Sequence, residues 1–508
     1  MHSTLGPDWA IRGLNQRAGR YPLSVEAPVL RAVEALVPGV STLTRYIRYY
    51  AFYAALAAHC AEKNLDDEGC RRLLRCGEVV FAAAHHEVPA ETPPGPAHGI
   101  DRVRAFYGDR LDLARAAAEG KDSYSPRSRG FWEQYGGPSA VLGTTTLDEG
   151  ALRPGRHSCP HDVRLLFQPV FSLAEADSVS SEELAALKDV TLQSERRPEA
   201  PWMVDLFTAS WAGRHDPAEW EPDDLIRRAS LRVLARAVEL YGAEGGSFEE
   251  VLRSAVAFGD QIDVDPVLSS IEQSQGWRGI LLRHYSIGAW RRLWAALVAS
   301  IGGEDGDADR TRDELRAWLA DQLDDTPVGV VLDELGPLQD SSGHPLPRER
   351  QLLAAGDRRE PLTNVKLLLA GALRAQELTG IAQKTFLGPR RRGMGEILDP
   401  TWVRFLAEDY RARSFKDLGA RLVDDMLAQA ARIARAKMRR DPVTGRLLLF
   451  SRVHERNDRF FKTSNEGDGD IGLRVQQLGD FSLQLNLFDT IGGGWTVTSE
   501  ARTALELV

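Results

Sequence analysis

The final 36 residues constrain the fold of this chain more than any other stretch. Leu473 to Asn486 (LRVQQLGDFSLQLN) puts apolar side chains at Leu473, Val475, Leu478, Phe481 and Leu485, the spacing of one helix face. Leu487-Phe488-Asp489 follows, then a glycine turn at Gly492-Gly493-Gly494 and an alternating strand, Trp495-Thr496-Val497-Thr498. A last helix starts near Ser499, whose hydroxyl suits an N-cap. Helix, short strand, glycine-tipped hairpin and helix is the order of a winged-helix domain. On that reading the Leu473–Asn486 helix and the 488–498 wing face DNA or a docking protein.

At 508 residues the chain exceeds one simple core, so several domains are expected. The expected class is mainly α: a multi-domain helical protein with a C-terminal winged-helix-like domain and small β-hairpins. Four consecutive segments are expected. Residues 1–165 form a helical domain, 166–310 a helical middle domain and 311–400 a helical connector with polar loops. Residues 401–508 hold a helix, a basic hairpin and the winged element.

Helix periodicity marks Val25–Val37, ended by Pro38-Gly39, and a second helix from Ser41-Thr42 to about Glu62. In that helix Leu43, Ile47, Tyr50, Ala54 and Ala57 form one stripe, and Tyr46, Tyr49 and Tyr53 a neighbouring one. A helix apolar on so many sides is a central one, and its tyrosines are expected to pack with their hydroxyls bonded to buried partners. A third helix runs from about Asp66 to His86, before a proline-rich loop at 88–99. Residues 129–157 echo the C-terminal pattern, as a second winged-helix-like or helix-hairpin element. Residues 166–300 read as helical, with Trp277, Tyr285, Trp290 and Trp294 along one apolar portion. Helices at 311–323 and 361–379 precede an arginine loop, Gly388 to Gly393. A long helical stretch from Asp399 to Arg440 ends in a turn at Asp441–Gly445. Arg446–Val453 and Arg459–Thr463 are expected to pair as a hairpin.

Several function classes lack their motifs. No run approaches the 18 apolar residues of a membrane span, and the opening residues lack a charged-then-apolar secretory pattern. Four cysteines (Cys60, Cys70, Cys76, Cys159) are too few for a disulfide framework. A cytoplasmic protein is therefore expected. There is no GxxxxGK[ST] phosphate loop, no GxSxG elbow and no HExxH or paired CxxC. His85-His86 and His157-Ser158-Cys159-Pro160-His161 lack partner clusters. Asp424-Asp425 sits inside a helix, where neighbouring carboxylates diverge. No catalytic residue, metal or cofactor is assigned.

The net charge of −10 hides a basic stripe. From Ala431 to Lys462 there are ten Arg or Lys against three acids. Arg432, Arg435, Lys437, Arg439 and Arg440 cover a helix end, and Arg452, Arg456, Arg459 and Lys462 a hairpin. A solvated face is the plain reading, since cations favour a helix C-terminus. Beside a winged element the same residues suit contact with DNA phosphates, which positions a domain without reading sequence.

Two blocks resemble an uncharacterised bacterial family of several-hundred-residue proteins. The first lies in Leu36–Tyr53 (LVPGVSTLTRYIRYYAFY), where Pro38, Gly39, Ser41, Thr42, Arg45, Arg48 and Tyr49 carry the pattern. The second runs from Phe415 to Leu478, through Asp424-Asp425, Arg452-Val453-His454-Glu455-Arg456, Glu466-Gly467 and Gly472-Leu473-Arg474. Genes of this kind often neighbour helicases, phospholipase-D-like nucleases or other antiphage defence genes. The resemblance implies a part in a multi-protein defence system and supplies no catalytic residues. Arg45 and Arg48 share a helix face and are candidates for holding a protein partner.

The expected function is a non-catalytic, DNA-binding or scaffolding subunit of a bacterial antiphage system. Separate protein subunits bring ATPase or nuclease activity, double-stranded DNA is a second partner, and no membrane is involved. Two other readings stay open: a winged-helix transcriptional regulator, and a metal-dependent nuclease with divergent motifs.

Overall fold

Glu272–Ser300 is a 29-residue helix whose side chains are buried almost without interruption from Trp277 to Val298. It is a core helix, as its apolar residues on every face require. The computed structural model describes residues 15–88, 97–120, 122–125, 130–148, 150–302, 309–388, 398–441 and 445–507. The opening residues, most of the proline-rich loop, the middle of the acidic 302–314 segment, nearly all of the arginine loop and the centre of the 441–445 turn lie outside them. Helix dominates, and the strands are two to four residues long. The chain divides into two units, each discontinuous in sequence. One combines residues up to Val33 with Arg253–Ile471, and the other combines Glu34–Leu252 with Gly472–Val508. They cut across the four consecutive segments expected above.

In the first unit the long helix packs against Pro361–Glu377 and Gly380–Leu387. A Cβ at Gly279 would fall 2.1 Å from Thr385 Oγ1 and 2.2 Å from the Ala382 carbonyl oxygen. Only glycine allows the two helices to approach so closely. The stretch expected as one helix from Asp399 is two, Pro400–Asp409 and Phe415–Lys437, with Ser414 capping the second through the Lys416 amide. The expected 446–453 and 459–463 hairpin is also corrected. Leu447–Phe450 lies between Asn15–Arg17, in parallel, and Arg439–Arg440, antiparallel. Arg459–Lys462 pairs with Val453–Arg456 and with Arg310–Thr311. Asn457 and Asp458, both at positive φ, make the tight turn of that hairpin.

In the second unit the central helix is Ile47–Glu62, flanked by Asp67–Glu87 and His161–Ala174. It starts five or six residues later than the Ser41-Thr42 start expected. Ser41 and Thr44 bond each other instead: Ser41 N donates to Thr44 Oγ1 at 3.0 Å, and Thr44 Oγ1 donates to the Ser41 carbonyl at 2.8 Å. The helix start is satisfied from elsewhere in the unit. Tyr135 Oη accepts from Arg45 N and Tyr46 N, and Gln484 Oε1 accepts from Ile47 N at 3.0 Å. Leu43 consequently leaves the predicted stripe and is 44% exposed.

Tyr49 and Tyr53 of the tyrosine stripe, and Tyr50 of the neighbouring one, are buried core with bonded hydroxyls, whereas Tyr46 is half-buried. Tyr50 Oη donates to the Gly39 carbonyl at 2.7 Å, Tyr53 Oη donates to Glu78 Oε1 at 2.6 Å, and Tyr49 Oη accepts from His98 N at 2.9 Å. The 129–157 region is a helical segment, Phe131–Leu142, followed by the hairpin Thr145–Asp148 and Ala151–Pro154.

Candidate nucleic-acid interface

The basic stripe belongs to the first unit, where helix Phe415–Lys437 leads into the short strands that follow it. The structure sorts its nine residues into two groups.

Five have bonds within the fold. Arg432 donates to Gln429 Oε1, and Lys437 Nζ to the carbonyls of Arg20 and Tyr21. Arg452 pairs with Glu466, and Arg459 donates to the Asp309 carbonyl. Lys462 Nζ donates to the Ala299 carbonyl at 2.9 Å and the Val298 carbonyl at 3.2 Å. Burial pushes the pKa values of Lys437 and Lys462 down. Lys437 ties a loop, and Lys462 a strand, to a helix end.

Of the other four, Arg440 alone has such a bond, within its own turn, and all four lie at the surface. Arg435, Arg439, Arg440 and Arg456 are all exposed. Arg439 lies 5.2 Å from the Phe450 ring centre and Arg456 5.2 Å from that of Phe461, contacts that hold a cation in place without neutralising it. Arg440 Nη1 donates to the Gly445 carbonyl at 3.0 Å. Arg435 lines a cavity of about 300 Å³ together with Arg312, His454, Glu455, Phe460 and Trp294. That cavity brings the helix end and the hairpin together. Sequence reading missed Arg312, more than a hundred residues upstream. It lies 5.3 Å from the Phe460 ring centre, 3.6 Å from Asp424 and 3.9 Å from Glu455.

Asp424 and Asp425 diverge as expected. Asp424 binds Arg316 at 2.8 Å, whereas Asp425 accepts from Arg421 at 3.1 Å and from Trp402 Nε1 at 3.3 Å. Burial raises the Asp425 carboxyl above the usual range. Among the described residues no group of His, Cys, Asp and Glu is placed to hold a metal ion, and no helix is long and apolar enough to cross a membrane.

The closing element lies in the second unit and has the expected order: helix Val475–Gln484, strands Phe488–Ile491 and Gly494–Val497, and helix Ser499–Leu505. Thr498, not Ser499, is the N-cap, accepting from Ala501 N. No residue from Val475 to Leu485 is exposed. Phe481 packs on Tyr50 and Phe207, Gln476 accepts from Phe248 N, and Gln484 bonds Ile47 N and the Arg45 carbonyl. The helix expected to face DNA is buried on one face and half-buried on the other. Trp495 stacks on Phe248 with ring centres 4.7 Å apart, so only the hairpin tip, with Ile491 58% exposed, projects to solvent.

The proposed partner residues Arg45 and Arg48 part company. Arg45 is exposed. Arg48 is buried, its Nε donating to Glu199 Oε1 at 2.7 Å and its Nη1 to the Thr191 carbonyl. Comparison with known protein families, curated proteins and solved structures found no match.

Proposed function

We propose that this chain is a non-catalytic subunit that grips the phosphate backbone of DNA through Arg435, Arg439, Arg440 and Arg456. The observation that carries this reading is the exposure of these four cations around one helix end and hairpin, next to a cavity holding Arg312 and His454. Such a surface suits sequence-independent phosphate contact, with Arg as the bidentate donor. The winged-helix reading contributes less. The order of elements supports it, but the helix leaves base reading to no exposed side chain. The resemblance of two sequence blocks to a family found near defence genes supports a place in an antiphage assembly whose ATPase or nuclease sits on other subunits. The test is duplex binding by the full chain and by R435E/R439E.

A second reading rests on the exposed hairpin tip. Ile491, between Thr490 and Gly492, presents an apolar side chain where a protein subunit can dock, and the chain then acts as a scaffold. An Ile491→Asp variant that loses a co-purifying subunit while keeping DNA affinity favours this reading.

A further inference from the structure

A second cavity in the first unit, of about 310 Å³, is lined by none of the four exposed arginines. Its walls are residues 19–23, Glu26, Arg291, Trp294, Arg452 and Glu466. The loop is unusual backbone: Tyr21 at φ 54° and Ser24 at φ 57° are non-glycine residues in the left-handed region. Lys437 Nζ holds it there by donating to the Arg20 and Tyr21 carbonyls. Such conformations cluster at ligand sites.

The charged lining residues are three arginines, Arg20, Arg291 and Arg452, against two glutamates, Glu26 and Glu466, an excess of one positive charge. Arg291 Nη1 donates to Glu26 Oε1 at 2.8 Å and its Nε to the Gly469 carbonyl at 2.6 Å. Arg452 pairs with Glu466. The carboxylates are withdrawn from solvent and the cations are not. The side chains of Glu26 and Glu466 are 2% and 7% exposed, those of Arg291 and Arg452 21% and 24%. Arg20 is exposed, and among the described residues no carboxylate pairs with it. What the cavity offers a ligand is therefore guanidinium N–H, each of two forks steadied by a buried carboxylate and the third left uncompensated. The complement is an anion that accepts hydrogen bonds from several directions.

We propose that this cavity binds the terminal phosphate of a phosphomonoester. The three arginines come from three parts of the chain: the N-terminal loop, the helix Glu272–Ser300 and the segment just before strand Val453–Arg456. Three donors from separate elements suit the three free oxygens of a monoester, whereas a phosphodiester or a carboxylate presents two. A monoester also carries close to two negative charges at neutral pH. The Tyr21 ring, 36% exposed and 5.9 Å from the Arg291 guanidinium, walls the space for the group that bears the phosphate. The phosphate belongs to a free nucleotide or to the 5′ end of a strand. A mononucleotide titration contains no duplex, so this proposal and the duplex reading fail independently.

The test is calorimetric titration of the full chain, in phosphate-free buffer, with AMP, its cyclic 3′,5′ diester, adenosine and acetate. Short oligothymidylates with a 5′-phosphate or a 5′-hydroxyl complete the series. AMP is expected to bind at least tenfold more tightly than the other three small molecules. Arg20→Glu, at an exposed position, is expected to weaken AMP at least tenfold with circular dichroism unchanged, while R435E/R439E leaves AMP affinity as it was. A 5′-phosphorylated oligonucleotide tenfold tighter than both AMP and its 5′-hydroxyl form assigns the strand end as the source. AMP binding as tightly as that oligonucleotide assigns the free nucleotide. Absence of heat with AMP and with the phosphorylated oligonucleotide at millimolar concentration overturns the proposal, as does equal affinity for AMP and its cyclic diester. Unchanged AMP affinity in Arg20→Glu overturns it too. Loss of AMP binding in R435E/R439E places the phosphate on the exposed arginines and decides against the cavity.

Discussion

Arg456 and His454 share one aromatic ring: the guanidinium lies 5.2 Å from the Phe461 ring centre, and the imidazole stacks on the same ring at 5.4 Å. The two side chains come from one strand, and Phe461 from the strand paired with it. The ring thus orders a cation and a titratable group at the edge of the cavity that Arg435 and Arg312 enter. Phe461→Ala removes this platform. It is expected to lower duplex affinity by about three- to tenfold through loss of Arg456 ordering, an effect of roughly 1 kcal/mol. Phe461→Leu keeps the burial without the π face, so comparing the two separates stacking from packing.

Tyr53 and Glu78 form a buried hydrogen bond that the tyrosine stripe foreshadowed. Glu78 also accepts from Phe131 N at 2.9 Å and from the Tyr124 hydroxyl. Tyr53→Phe leaves the carboxylate short of a donor and is expected to destabilise by ~1–3 kcal/mol. Urea unfolding followed by circular dichroism checks this, through a lower midpoint at unchanged slope.

The sequence made some of this legible and hid the rest for physical reasons. Helix periodicity exposed the tyrosine stripe and placed the start of the third helix near Asp66, whose side chain accepts from Gly69 N three residues on. Local signals of that kind need no tertiary knowledge. Ser41 looked equally cap-like, yet its hydroxyl serves a turn with Thr44, and the helix start is bonded by Tyr135 and Gln484. Those partners lie 89 and 437 residues away from the backbone groups they bond. The parallel pairing of Leu447–Phe450 with Asn15–Arg17 is as distant. The apolar face of Val475–Gln484 was also plain in the sequence. Gln476 and Gln484 bond neighbouring backbone and leave the polar face half-buried, which periodicity does not show. In the basic stripe, residue type gave the charge, but only the fold separates Arg439 and Arg456 from Arg452 and Lys462, which are bonded internally.

Gly494 is fixed by a close backbone approach. A Cβ there would lie 2.4 Å from the Gly242 carbonyl oxygen and 2.7 Å from that of Ala243. Backbone atoms cannot swing aside, so Gly494→Ala is expected to loosen the Phe488–Val497 hairpin, at a cost of ~1–3 kcal/mol. Amide hydrogen exchange reads this directly. Faster exchange confined to 487–498 is the expected pattern, with the tyrosine core unchanged.

Acid is expected to destabilise both units. His85 is buried, with Nδ1 donating to the Phe81 carbonyl and Nε2 accepting from Leu192 N, both at 2.7 Å. His284 donates from Nε2 to the Ile471 carbonyl at 2.9 Å. Burial lowers each to about 4, well under the ordinary 6.5. Between those values the unfolded chain binds more protons than the folded one, so stability falls as pH drops from 6.5 towards 4 and is flat above 6.5. Each contributes roughly 3 kcal/mol at most. Asp425 and Glu466, raised by burial, act in the opposite direction. Urea midpoints measured from pH 7.5 to 4.5 are expected to decline, with part of the slope lost in His85→Gln.

The central claim is phosphate contact by the four exposed arginines. The most direct measurement is the affinity of the full chain for a duplex across a salt series, beside R435E/R439E. Four phosphate contacts predict a log–log slope of about −3 to −4 for the native chain. In the variant that slope falls by about half, with circular dichroism unchanged. A native affinity independent of salt, or a folded variant that binds as tightly as the native chain at low salt, contradicts the account.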